Sequence, residues 1–304
     1  VSAFEPGHKV VAILNSRSGW NDGSACEKHL ERVMRNAGVP LEVLRVRRLA
    51  DIPALIRKAC SSNVSAVIAG GGDGTLNAVA LGLRGSTIPM AIVPIGTLNH
   101  LARDLSVPID ASKAIDALPG SVETSIDLGE VNGRVFLNNS ILGLYPAYRF
   151  ARLSREKFGF HKFRAMLSAV WTIFWRNPVL NLRLTVDGRD IDRRTPYVLI
   201  ANNEHKMEGY QLGKRERLDA GALWVYVLRP RNRWGMLKLM MSLVFGRFRK
   251  HAEFEVFRAQ SMRVQSSRRS IGVALDGDVT RMRTPLDYRS LSKALHVIAP
   301  PRHA

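Results

Sequence analysis

Cysteine is almost missing from this chain: two residues, Cys26 and Cys60, in 304. That excludes a disulfide framework and fits a reducing compartment, with two buried thiols as the plain reading. The eight histidines are scattered, without the paired spacing that a zinc site needs. No apolar run reaches the roughly 20 residues of a membrane-spanning helix. No signal-peptide pattern opens the chain, which begins at Val1, so a trimmed start stays open. Internal repeats and low-complexity linkers are absent as well.

Negative charge is also scarce. Against 45 Lys and Arg stand 26 Asp and Glu, a formal net charge of +19. Such a surplus suits an acidic partner: a membrane surface, a nucleic acid or a phosphorylated substrate. Helix-turn-helix, zinc-finger and RNP signatures are missing, so nucleic acid is not expected. Much of the positive charge lies between Arg149 and Lys250, around two apolar segments of helical spacing, 163–175 and 234–248. Each is too short to span a bilayer. Each reads either as a core helix with solvated basic ends or as a helix lying on a membrane surface. At about 1 kcal/mol per base near an anionic surface, a few such residues give reversible docking.

Glycine, by contrast, is concentrated where it carries information. Residues 66–77 read Ala-Val-Ile-Ala-Gly-Gly-Gly-Asp-Gly-Thr-Leu-Asn. An apolar strand runs into a turn and then a helix with Leu76, Val79, Ala80 and Leu83 on one side and Gly85 as its stop. Gly70, Gly71, Gly72 and Gly74 permit positive φ and leave room for a bulky anion near the backbone. N–H groups at the helix start favour negative charge. Asp73 fits beside phosphates if a divalent cation lies between them, or if it positions a nucleophile. No Gly-Lys-Ser/Thr follows, so this is not a P-loop, and Thr75 stands where the dinucleotide fingerprint needs its last glycine. A second strand, 88–93, ends in Pro94-Ile95-Gly96-Thr97-Leu98-Asn99, and a third, 9–14, in Asn15-Ser16-Arg17-Ser18-Gly19. In a parallel sheet these turns share the carboxyl edge, where ligands bind.

Strands near 9–15, 41–46, 64–69 and 88–93 alternate with helices near 24–37, 51–60, 75–84 and 98–105, the pattern of a parallel sheet covered on both faces. After Asp127 the texture becomes β: hairpins about Asn132-Gly133 (129–142) and Asp187-Gly188 (180–192), then strands at 197–201, 223–229, 253–257, 262–265 and 271–275. The expected fold class is an α/β N-terminal domain over 1–128 with a parallel sheet, plus a mainly β C-terminal sandwich over 129–289.

Asn15 with Ser18-Gly19, Gly71-Gly72-Asp73-Gly74-Thr75 with Asn77, Pro94 with Gly96-Thr97 and Asn99, Ala102-Arg103, Phe136 with Asn138 and Gly143, and Asp276-Gly277-Asp278 together resemble the diacylglycerol kinase catalytic-domain superfamily. The likeness is to its soluble bacterial lipid kinases, relatives of sphingosine and ceramide kinases, and spans almost the whole chain. It implies an NAD kinase/diacylglycerol kinase-like fold whose last strand, within 290–304, returns to the first domain. It implies ATP and Mg²⁺ as cofactors and transfer of the γ-phosphoryl group to the hydroxyl of a diacylglycerol-like or sphingoid lipid. Nucleotide contacts then fall on Asn15, Ser18, Gly19, Gly71, Gly72, Asp73, Gly74, Thr75, Leu76, Asn77, Gly96, Thr97 and Asn99, with Asp73 holding Mg²⁺ beside ATP. The family's final acid in Asp-Gly-Glu is its proton acceptor; here that role falls on Asp278, with Asp276, two positions earlier along one strand, as the alternative, while the plain reading of Asp-Gly is an ordinary hairpin turn.

Two departures stand out. The family's Thr after the second strand is absent from Leu44-Arg45-Val46-Arg47-Arg48. Its Leu-Asp-Asp-Gly-Leu-Leu, tied to a structural Mg²⁺, reads Leu218-Asp219-Ala220-Gly221-Ala222-Leu223, which lacks the second acid. Expected partners are the lipid and the anionic inner membrane surface, visited reversibly from the cytoplasm, and a homodimer stays open. The rival readings are an NAD kinase-like enzyme and a non-catalytic basic binding protein.

Overall fold

The computed structural model describes residues 4–15, 23–143, 179–208, 211–215, 217–229, 235 and 254–301. The chain divides into two units, Val1–Asp127 with Ser292–Ala304, and Leu128–Leu291. Strands β5 (Val122–Val131) and β18 (Leu286–Ala299) are split between them.

The first unit alternates β1 (Val10–Leu14), α1 (Gly23–Asn36), β2 (Leu41–Arg45), α2 (Ile52–Ser61), β3 (Ala66–Gly71), α3 (Asp73–Leu83), β4 (Met90–Pro94), α4 (His100–Asp104) and α5 (Ala111–Ala117). The strands pair parallel in the order β2-β1-β3-β4, and β4 pairs parallel with the end of β18, Val297 opposite Met90. Every residue of β1, β3 and β4 is buried, because crossover helices cover both faces of a parallel sheet. Their continuous apolar runs follow from that. Helix α1 ends as a Schellman motif: Gly38 takes φ 70°, its N–H donates to Arg35 O, and Val39 N–H donates to Met34 O. Leu14 lies opposite Gly70, Gly70 opposite Val93 and Gly71 opposite Pro94. The turns after β1, β3 and β4 therefore leave the sheet at one edge.

The second unit contains β6 (Arg134–Phe136), β7 (Asn139–Gly143), β8 (Leu180–Val186), β9 (Arg189–Thr195), β10 (Tyr197–Asn202), β11 (His205–Glu208), β12 (Gln211–Arg215), β13 (Leu223–Leu228), β14 (Phe254–Ala259), β15 (Ser261–Ser266), β16 (Ser270–Leu275) and β17 (Asp278–Arg283). One antiparallel sheet runs β14-β13-β10-β7-β16-β17; another brings together β18, β15, β8 and β9. Leu142, Val198, Ile200, Val225 and Val273 of the first sheet and Leu184, Met262, Val264, Leu286 and Tyr288 of the second form one core. That is a β sandwich, so the α/β-plus-sandwich class expected above is the fold observed.

Several details differ from the pattern reading. The Asn132-Gly133 hairpin joins only β5 and β6; β7 leaves it to pair with β10 and β16. Helix α5 and strand β17 were not anticipated. Strand β18 begins at Leu286, ahead of the 290–304 expected for the returning strand: Leu286-Asp287-Tyr288-Arg289 alternates buried and exposed, and the pattern lapses only over 290–294, where Lys293 adopts φ 51°. Gly70, Gly71, Gly72 and Gly74 are not among the positive-φ residues, so their use is space rather than handedness. Ser18 and Gly19, the segment 163–175 and, apart from Gly235, the segment 234–248 lie outside the described residues.

Candidate functional site

In the first unit the two Gly-Thr turns are pinned to each other. Asp73 opens α3, after Gly72 at the N-cap. Its Oδ2 accepts from Asn99 N–H at 3.1 Å and its Oδ1 from His100 N–H at 2.8 Å. These are orphan donors at the start of α4, satisfied by a carboxylate from another helix. Asn99 completes the turn. It is buried, takes φ 50°, donates from Nδ2 to Gly96 O (2.8 Å) and accepts from Gly96 N–H at Oδ1 (3.1 Å). The glycines permit this approach. A Cβ on Gly96 would stand 2.6 Å from Gly72 Cα and 2.9 Å from Asn99 Oδ1, and such contacts do not occur.

What the pinned turns leave accessible is mostly backbone. Gly74 and Thr97 are exposed, and Gly72, Asp73, Gly96 and Leu98 are half-buried. Thr75 is not part of that surface: it is buried, and its hydroxyl accepts from Asn15 Nδ2 at 2.9 Å, tying β1 to α3. Leu76 is a core side chain. Asn77 is half-buried, and its Oδ1 has no hydrogen-bond partner. Small residues and exposed N–H groups at a helix start fit an anionic phosphate chain. A Mg²⁺ at Asp73 would have to be held mainly by the nucleotide's own phosphates. That carboxylate already holds two N–H groups, and no cluster of three His, Cys, Asp or Glu side chains exists among the described residues.

The second unit carries the Asp-Gly-Asp motif, and the structure separates its two acids. Asp276 and Gly277 take φ 46° and 99°, the two central positions of a type I′ turn between β16 and β17. The expectation that Asp276 and Asp278 lie two places apart on one strand is therefore corrected: the chain reverses between them. Asp276 Oδ2 accepts from Leu137 N–H at 2.6 Å, and Oδ1 accepts from Asn138 and Asn139 N–H at 2.8 and 3.0 Å. Burial pushes this carboxyl above the ordinary aspartate range, opposed by the three N–H donors and by Arg215. Asp278 is the exposed first residue of β17.

Two other hairpins of the unit repeat the device. Asn132 (φ 47°) donates from Nδ2 to Pro285 O and accepts from Asp287 N–H. Asp187 (φ 44°) accepts from Gln260 and Ser261 N–H. Each Asx-Gly turn uses its Asx side chain to hold a neighbouring loop. Asp276 does the same for the loop between β6 and β7.

Sequence reasoning missed Arg215. It is 1% exposed, and its guanidinium donates to Leu137 O (2.9 Å), Asn202 O (3.1 Å) and Asn138 Oδ1 (3.0 Å). One arginine among 45 bases carries no local sign of burial. The 217–222 loop is served by the protein's own cations: Arg217 pairs with Asp219 at 3.2 Å, and Arg258 donates to Ala220 O at 3.4 Å. Ala220 N–H donates to Asn203 Oδ1.

Residues 9–131 match the model of the diacylglycerol kinase catalytic domain, and residues 151–299 that of the YegS C-terminal NAD kinase beta sandwich-like domain. Diacylglycerol kinases of Staphylococcus aureus strains RF122 / ET3-1 and Newman are 23% identical over 270 residues, 88% of this chain and 84% of theirs. A solved structure of a diacylglycerol kinase from Bacillus anthracis str. Sterne superposes with a TM-score of 0.70 at 20% identity, covering 97% of each chain. A further structure from that organism gives 0.74 at 23%, covering 97% of this chain and 98% of that one. No helix among the described residues is long and apolar enough to cross a membrane. The chain belongs to the diacylglycerol kinase catalytic-domain superfamily, a superfamily of kinases.

Proposed function

We propose that this kinase transfers the γ-phosphoryl group of ATP to the hydroxyl of a diacylglycerol-like or sphingoid lipid. The observation that carries the reading is the pair of Gly-Thr turns, drawn together by Asp73 and exposing Gly74 and Thr97. Backbone N–H groups at Gly72, Asp73 and Gly74, with Thr97, would hold the phosphates. ATP itself supplies the phosphoryl group. The protein's part is positioning and charge neutralisation, since the transition state is loose. Asn15 and Thr75 brace the cradle from behind. Asp278 would orient the acceptor hydroxyl and take its proton. Asp276 acts from behind as a positioning residue. The +19 charge supports approach to an anionic, cytoplasm-facing membrane surface, where the acceptor resides.

The test is a panel of lipids in mixed micelles with labelled ATP, with NAD as a parallel acceptor. Phosphate incorporation into a lipid, lost in Asp278→Asn with ATP affinity unchanged, is the expected result. Incorporation into NAD alone, or full lipid turnover in Asp278→Asn, refutes the reading.

A further inference from the structure

The inner face of the β14-β13-β10-β7-β16-β17 sheet is apolar along its length and turns polar at one end. On β10 the face reads Val198, Ile200, then Asn202; on β7 it reads Leu142, Ser140, then Asn138 just before the strand. On β16 it reads Ile271, Val273, Leu275, and opposite Leu275 stands Asp278 on β17. Side chains two apart share a face, and so do directly paired residues. Ser140 also pairs with Leu275. Asn138 and Asp278 therefore lie on one face, at one end, on either side of the Asp276-Gly277 turn. Asp278 is level with Ser140, and Asn138 lies two residues further along, so their backbones are two strand spacings apart across the sheet and two residues apart along it, about 12 Å in all. Two side chains reaching inward leave room for a hydroxyl and a neighbouring oxygen.

Asn138 is half-buried, and its amide has a fixed sense. Arg215 has donors only, so the amide group it contacts at 3.0 Å is the oxygen. Arg215 is held in place by two carbonyls as well, that of Leu137 next to Asn138 and that of Asn202 at the end of β10. Asp276 locks the Asn138 backbone through its N–H, and Asn202 N–H holds its carbonyl. The Asn138 NH₂ is what remains.

We propose that Asn138 touches the phosphate acceptor, its Nδ2 donating to an oxygen beside the hydroxyl that Asp278 takes, and that buried Arg215 is a positioning residue that keeps the amide turned that way. This rests on the lipid-kinase reading and adds to it a role for Asn138, a residue that the resemblance includes without assigning it one.

Asn138→Asp is the decisive variant. It keeps size and the oxygen facing Arg215 and replaces only the NH₂. The expected result is an unchanged or raised Tm, unchanged KM for ATP, and a fall of about 10- to 100-fold in kcat/KM for diacylglycerol in mixed micelles, the range for a lost hydrogen bond in a site built to make it. Arg215→Lys should produce a similar loss that is not additive with Asn138→Asp. Wild-type kcat/KM in a folded Asn138→Asp protein overturns the contact, since a purely structural Asn138 is satisfied by either residue. Full additivity of the two variants overturns the positioning role. If the wild-type protein phosphorylates no lipid at all, the lipid-kinase reading fails first and takes this one with it; that outcome is read from the wild type alone.

Discussion

Replacing Asp73 by Asn separates two roles for the one acid in the glycine loop. In the structure its two oxygens hold the N–H groups of Asn99 and His100 at 3.1 and 2.8 Å. Hydrogen bonds to a charged acceptor contribute about 1.5–3 kcal/mol each. Asn keeps one acceptor, now neutral, and turns an NH₂ toward the other N–H. One bond is lost and one weakened, so the cost is about 2–3 kcal/mol, taken low because Asp73 is half-buried. Stability is ordinarily about 5–15 kcal/mol, so the variant still folds. For a unit of this size Tm should fall by about 5–10 °C. With the turns no longer pinned, ATP affinity should fall in the same protein.

The assay is thermal unfolding beside ATP calorimetry, with and without Mg²⁺. A Tm within about 1 °C of wild type would falsify the clamp. If activity and Mg²⁺ dependence were lost at that unchanged Tm, the carboxylate would be a cation ligand after all. Asp73→Ala frees both N–H groups and should cost more than Asn does.

Gly96→Ala should destabilise the protein, because its Cβ meets the Gly72 backbone at 2.6 Å, whereas Gly72→Ala, whose Cβ has 3.4 Å to Gly96 Cα, should fold normally and weaken ATP binding; equal Tm losses in denaturation scans would show that the two turns do not touch as described. Cys26 is buried, and burial, then Glu27, pushes its thiol up to about 11, so a thiol reagent near neutral pH should label the exposed Cys60 and spare Cys26; mass spectrometry of the native protein that finds both modified contradicts this. Glu42 is lowered from 4.5 to about 2 by hydrogen bonds from Lys58 and then Lys9. A depressed carboxylate stabilises the fold above its unfolded pKa and loses that contribution as pH falls toward the folded one. Glu42→Gln should therefore cost about 0.5–1 kcal/mol near pH 7, small because both lysines are exposed, and nothing near pH 2; a difference that grows on acidification would reverse the sign.

The legible parts of this fold are those written in local chemistry. Apolar runs ending in glycine gave β3 and β4, and Asn132-Gly133 and Asp187-Gly188 gave their turns, because two residues suffice to set a type I′ geometry. What stayed hidden depends on residues far apart in sequence. Asp73 finds its partners 26 and 27 residues downstream, and Arg215 finds Asn138 at a separation of 77. No spacing rule reaches that far. The glycines of the first motif were misread for a related reason: their φ values are ordinary, and the need for them lies in Gly72 meeting Gly96.

The Asp-Gly-Asp motif shows how a structure divides what a pattern cannot. From sequence, either acid could be the base, since both were assigned to one strand. In the fold, Asp276 occupies the same turn position as Asn132 and Asp187 and behaves as they do, with both oxygens committed to backbone N–H groups. A group so engaged would leave three buried donors unmet if it moved to accept a proton from substrate, a cost of about 1–3 kcal/mol for each. Asp278 carries no such obligation and is exposed. We therefore propose Asp278, which the turn presents, as the proton acceptor, and Asp276, which builds the turn, as the residue that positions it.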